Sequence, residues 1–144
     1  HLIDRETGSV LRLTKVMMPE TPVIQSWRRN LAAGQRIGPF SNLPLAPISM
    51  QFALDIMEVV LSQRLSGFFH ASSQEDSSYL SLAEVVAAHD GADPRLIEPI
   101  EVVPSSIGLD FLPRYSSLDM LLEAKEFDLQ PPSADDVFRG VLSP

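Results

Sequence analysis

The chain has 144 residues, 44% of them apolar and 21% charged, enough for one compact domain over 1–144 and too few for two. It has no cysteine, which excludes a disulfide scaffold, a thiolate zinc site and a cysteine nucleophile. Nineteen acids against eleven bases give a net charge of −8, which disfavours nucleic-acid binding and repels anionic membrane surfaces.

In chain order, the first five residues lack a basic-then-apolar leader, and no apolar run approaches the ~18 residues of a membrane span; a cytoplasmic protein is expected. Residues 10–17 (VLRLTKVM) alternate apolar with polar and predict a strand. Pro19 stops it. Thr21 suits a helix N-cap and Pro22 a first helical position, and Val23, Ile24, Trp27 and Leu31 supply one apolar face up to Gly34. A short extended piece over 35–40 leads into a loop punctuated by Pro44 and Pro47.

Ser49 caps a predicted helix over 50–65 stopped by Gly67, whose polar positions Gln51, Asp55, Glu58 and Ser62 form one narrow stripe. Such a helix is expected to be covered on most sides. Residues 68–71 read as a buried strand and 72–77 as a polar loop. A helix over 79–89 follows, capped by Ser78 or by a Ser81–Glu84 capping box. Residues 97–103 are a strand candidate weakened by Pro99. A helix is predicted over 118–124, and Ser133-Ala134-Asp135-Asp136 opens a last one after the Pro131-Pro132 break. Strand and helix therefore alternate, which argues for an α/β fold with parallel pairing. A sheet of these strands alone would be small with open edges, as in the C-terminal part of a larger fold.

Chemistry is sparse. The histidines at 1, 70 and 89 lack metal-ligand spacing, and His70 in FFHAS reads as a hydrogen-bonded strand residue facing core or cleft. Trp27 points inward, while Arg28 and Arg29 form a solvated face. Arg12 and Lys15 stand near the end of the first strand, where α/β sheets collect ligands; Lys15 reads equally as a ligand contact or an ion-pair partner. Glu75-Asp76 lies in a polar loop, and Asp135-Asp136 suits a helix first turn, so neither pair reads as a catalytic dyad. No G-x-S-x-G, G-x-G-x-x-G or Walker sequence occurs.

The order of segments nevertheless resembles a known family. Leu11-Arg12-Leu13-Thr14-Lys15-Val16 followed by Pro19 resembles the L-R-x-x-x-V-x-x-P segment of extended short-chain dehydrogenase/reductases acting on nucleotide sugars. Ala46-Pro47-Ile48-Ser49 is similar to that family's (S/A)-P-(I/V) helix entry. Leu65-Ser66-Gly67-Phe68-Phe69-His70-Ala71-Ser72, then Ser78-Tyr79-Leu80-Ser81-Leu82-Ala83, resemble its late strand and the helix after it. Pro113-Arg114-Tyr115-Ser116-Ser117-Leu118-Asp119 is similar to the R-P-x-(N/Y)-(S/T)-(S/A)-L-D box of dTDP-4-dehydrorhamnose reductases, and Pro131-Pro132 with the closing helix to their end.

The resemblance implies an α/β architecture: the C-terminal part of a Rossmann-like fold, comprising the last parallel strands and the substrate-binding lobe, with the N-terminal nucleotide-binding half absent. It implies that the parent protein is an NAD(P)-dependent oxidoreductase or epimerase of nucleotide sugars. The family's Tyr-x-x-x-Lys pair is missing, because Tyr79 is followed by Ala83 and Tyr115 by Asp119. The chain alone is therefore expected to be inactive, with no catalytic residue, no metal and no NAD(P) bound by itself. Carried over residue by residue, Lys15, Met18, Pro19, Arg36 and Arg114 fall in substrate-binding segments. Lys15 replaces the commoner Asn or Trp, and Arg36 reads equally as a structural ion pair. Expected partners are a nucleotide sugar and either another copy or the missing half. The alternative is a non-catalytic regulatory or scaffold subunit of the same reductase-like family.

Overall fold

The computed structural model describes residues 8–143. The stretch expected as one strand over 10–17 is divided into β1 (Ser9–Leu13) and β2 (Lys15–Met17). The cause lies in pairing. The Thr14 N–H donates to the Ala71 carbonyl at 2.9 Å, and the Lys15 N–H donates to the Ala46 carbonyl at 3.1 Å. Successive amides of extended backbone point to opposite sides, so one continuous stretch serves one neighbour before Thr14 and another after it.

Pro22–Ala32 forms α1, with Pro22 at its first position as expected. Thr21 sits at the cap position without capping; its Oγ1 instead accepts the Met18 N–H at 2.9 Å. Pro44–Leu45 (β3) and Pro47–Ser49 (β4) precede α2 (Met50–Ser62), where Ser49 Oγ accepts the Phe52 N–H at 3.1 Å. The helix ends before 65. The Leu65 N–H bonds back to Val60 O and the Arg64 N–H to Leu61 O, a Schellman closure with Arg64 rather than a glycine in the left-handed conformation at φ 53°. Gly67 at φ 121° opens β5 (Gly67–Ala71), and Ser77–Ser78 forms β6. Ser78, not Ser81, caps α3 (Tyr79–Asp90).

The candidate strand over 97–103 is not continuous: Ile97 and Ile100 make isolated bridges to Ile37 and Phe40, between short 3-10 turns at Pro94–Leu96 and Pro104–Ile107. Pro99, lacking an N–H, cannot extend a ladder. The helix expected at 118–124 is α4 (Leu121–Phe127), displaced because Ser116 and Ser117 are held by the side-chain bonds described below and the Leu118 N–H donates to Ser72 Oγ. Ser133 caps α5 (Ala134–Leu142), and the Glu75 carboxylate accepts the Ala134 N–H at 2.7 Å.

β1 pairs β5 and β2 pairs β4, both in parallel, while β3 pairs β6 antiparallel. Two cores lie on either side of the β2–β4 ladder. Met17 and Leu45 join α1, α3 and α5 around Trp27, Leu82 and Phe138, and Ile48 joins α2 and β5 around Ile56, Val60 and Phe69. Contrary to expectation, α2 is not covered on most sides: Met50, Leu54, Met57 and Leu61 are exposed.

Candidate functional site

The Met18–Pro19 turn leaves the carboxyl end of β2, where ligands gather in parallel α/β sheets. Met18 and Thr21 exchange two bonds of 2.9 Å, the Met18 N–H to Thr21 Oγ1 and the Thr21 N–H to the Met18 carbonyl, which hold the turn open toward α5. A cavity of about 380 Å³ lies there, walled by Met17, Met18, Pro19, Ser49, Val137 and Gly140 among others. It contains no cation. Ser49 is spent on its helix cap, and Asp136 accepts the Ser133 hydroxyl at 2.7 Å. This slot suits an uncharged ring better than a phosphate.

Arg114 lies elsewhere, in a polar cavity of about 390 Å³ with Ser41, Asn42, Leu43, Pro44, Ser77 and Ser78. Its guanidinium carbon is 5.4 Å from the Tyr115 ring centroid, and it makes no ion pair among the described residues. An unpaired arginine in so acidic a chain is a cation held in reserve, and its planar fork matches phosphate oxygens. Leu43 is also a wall of a smaller cavity, about 250 Å³, lined by Val23, Trp27, Gly38, Phe40 and Tyr79. Phe40 and Tyr79 meet edge to face at 6.3 Å. Burial raises the Tyr79 pKa, so its phenol stays neutral. A polar recess with one free cation thus adjoins an aromatic recess.

What positions Arg114 is the Asp76 carboxylate. Its Oδ1 accepts the Ser116 N–H at 2.9 Å, the Ser116 hydroxyl at 2.8 Å and the Ser117 N–H at 2.8 Å, and its Oδ2 accepts the Ser117 hydroxyl at 3.1 Å. Desolvation pushes the Asp76 pKa up, but these bonds together outweigh it and hold it below the usual value. Asn42 clasps the same side of the cavity, donating to Val102 O at 3.0 Å and accepting the Val102 N–H at 2.8 Å.

The five residues singled out from sequence are therefore dispersed. Met18 and Pro19 share one cavity and Arg114 lines another. Arg36 forms an exposed ion pair with Glu98 on the surface, which fits the structural alternative. Lys15 is exposed at the start of β2, opposite Pro47, and lines neither cavity; among the described residues it has no ion pair. Sequence reasoning missed Asp76, Ser77, Phe40 and Tyr79 as contributors, because they converge from distant segments with no shared spacing. His70 is a strand residue whose Nδ1 bonds the Asp119 carbonyl at 2.8 Å. Among the described residues no cluster of His, Asp or Glu is placed to hold a metal.

The helix starts do not fit a dinucleotide pyrophosphate. Ser49, Ser78 and Ser133 fill the first turns of α2, α3 and α5 with their own oxygens, Glu75 adds a carboxylate at α5, and no glycine-rich turn precedes any of them.

No protein-family model and no curated protein matches the chain. Solved structures do. The enzyme WbmG of Bordetella bronchiseptica in complex with NAD and UDP aligns with a TM-score of 0.74 at 25% identity over 93% of this chain and 41% of that one. The dTDP-4-dehydrorhamnose reductase of Yersinia enterocolitica aligns with a TM-score of 0.74 at 14% identity, over 93% and 48%. The dTDP-glucose 4,6-dehydratase of Bacillus anthracis in complex with NAD gives 0.71 at 15%, over 93% and 43%. The fold is thus that of part of these three enzymes, and the chain spans less than half the length of each of them.

Proposed function

We propose that the chain is the nucleotide-sugar-binding lobe of an NAD(P)-dependent reductase or epimerase similar to dTDP-4-dehydrorhamnose reductase, inactive by itself. The observation that carries this reading is the Leu43 wall shared by the Arg114 cavity and the Trp27–Phe40–Tyr79 cavity. A nucleoside diphosphate has the same two-part chemistry: phosphate oxygens that pair with a guanidinium, and a flat base that packs against rings. The uncharged slot at Met18 and Pro19 is assigned to the sugar. Support comes also from the fold shared with WbmG, which was solved with NAD and UDP.

This chain's part in the reaction is binding and orientation. NAD(P) supplies hydride chemistry in the longer protein, and the proton donor is a tyrosine that this chain does not carry. Lys15, exposed and without an ion pair among the described residues, where the family favours Asn or Trp, supports the second reading, a non-catalytic subunit.

Calorimetric titration with UDP and with dTDP tests the assignment. Saturable binding that Arg114→Ala weakens about tenfold, the loss of one charge-assisted contact, is expected. A chain that binds neither nucleotide overturns the reading, as does turnover of NADPH with a keto sugar by the 144 residues alone.

A further inference from the structure

The slot at the carboxyl end of β2 carries charge of one sign only. Its walls are mostly apolar, with Met17, Met18, Pro19, Val137 and Val141 among them, and its polar side chains are Ser49 and Asp136. Ser49 Oγ is committed to the Phe52 N–H, and Asp136 Oδ2 accepts the Ser133 hydroxyl at 2.7 Å. That leaves Asp136 Oδ1 without a hydrogen bond, and the carboxylate has no ion pair among the described residues. Arg139, the cation of the same helix, lines a different cavity, between α3 and α5, and is held by Asp135 at 2.6 Å.

A second carboxylate stands at the start of α5, where Glu75 accepts the Ala134 N–H at 2.7 Å. With Ser133 capping Asp136, the first turn of α5 has little left to draw an anion. The start of α2, at Ser49 and Met50, is the one feature of the slot that favours negative charge, and Ser49 takes up one of its amides. Gly140 lies one turn beyond Asp136 on the same face of α5. It lines the same slot, and a Cβ there would meet nothing within 4 Å, so the space beside the free carboxylate oxygen is open.

A sugar ring has C–H faces that pack on methionine and proline, and hydroxyls that donate to a lone acceptor. A carboxylate on that ring would enter the slot without a cation to meet it and would face Asp136. We propose that Asp136 sets the charge specificity of the slot: its Oδ1 accepts a hydroxyl of an uncharged hexosyl group, and its charge turns away a hexuronate. The inference rests on the assignment of this slot to the sugar of a nucleotide sugar, and it adds which sugars enter and which residue selects them.

The test is calorimetric titration of the chain with UDP, UDP-glucose and UDP-glucuronate. The three share a base and a diphosphate, so the contribution of Arg114 cancels when their affinities are compared. UDP-glucose should bind about tenfold more tightly than UDP-glucuronate, and the gap should shrink as salt is raised to about 0.5 M. Asp136→Asn retains a carbonyl for the Ser133 hydroxyl and removes the charge; it should bring the two sugars within about twofold and leave UDP affinity unchanged. Gly140→Leu, a better helix former that fills the open space, should reduce UDP-glucose to the affinity of UDP itself. Equal binding of the two sugars by the unaltered chain overturns the proposal. So does a gap that survives Asp136→Asn, or a UDP-glucose affinity indifferent to Gly140→Leu. A chain that fails to bind UDP overturns the function proposed above and this inference with it, whereas UDP binding without sugar discrimination overturns this inference alone.

Discussion

Asp76 receives both donors of Ser116 on one carboxylate oxygen, the backbone N–H at 2.9 Å and the hydroxyl at 2.8 Å, and thereby fixes the segment that carries Arg114. Asp76→Asn keeps the size of the side chain but turns an amide N–H₂ toward donors. The variant should lose about 2 kcal/mol of stability, the scale of bonds to a charged acceptor. Chemical denaturation checks the loss, and UDP titration should show weaker binding although Arg114 is intact.

The same carboxylate gives the acid response a sign. Its folded pKa is held below the usual 3.8. The stabilisation is therefore complete above the unfolded-state value and drains away as pH falls through the lower folded value. Melting followed from pH 6 to about pH 2 should show a decline below the ordinary carboxylate range that is shallower in Asp76→Asn. An identical acid limb in the two proteins would refute the assignment.

Glu123 is 2% exposed and accepts the His70 N–H at 2.6 Å. Removing it leaves that amide without an acceptor and a void where a buried side chain stood. Glu123→Ala should cost about 3 kcal/mol, and Glu123→Gln, which retains a carbonyl in the same place, less than about 1 kcal/mol. Equal losses by thermal melting would show that packing alone matters there.

Two arginines singled out by sequence should part company. Arg36 and Glu98 are both well exposed, and such a pair contributes within about 0.5 kcal/mol. Arg36→Ala should leave both stability and UDP affinity where they were, in contrast to Arg114→Ala. A tenfold loss of affinity in Arg36→Ala would restore it to the site.

Arg64 spends backbone strain to end α2, at φ 53°. Arg64→Gly should therefore raise stability by about 0.5 to 1 kcal/mol. Gly67→Ala, in open space yet at φ 121°, should lower it by about 1 to 2 kcal/mol through conformation alone. Unfolding curves of the two variants should move in opposite directions.

Local chemistry made much of the fold legible. Ser49, Ser78 and Ser133 cap from positions set by the residues immediately following, and Pro22 announces its own helix. What depended on the identity of a distant partner was hidden. Thr14 interrupts a strand because Ala71 and Ala46 claim opposite sides of it, and no property of VLRLTKVM says so. Arg64 ends a helix because Leu65 is drawn into the core beside Val60, where composition pointed to Gly67. The site divided similarly. Met18, Pro19 and Arg114 lie at cavities, while the aromatic recess draws on positions 27, 40 and 79, which share no period.

The hand-over at Thr14 also constrains how this chain can tolerate change in length. Deleting or inserting one residue between Leu13 and Lys15 would reverse which ladder every downstream amide addresses, unseating Met17 from one core and Val16 from the other. Loops elsewhere can absorb such a step by rearranging at the surface. Here the shift would propagate along both ladders at once, so gaps in an alignment of true relatives should avoid residues 13–15.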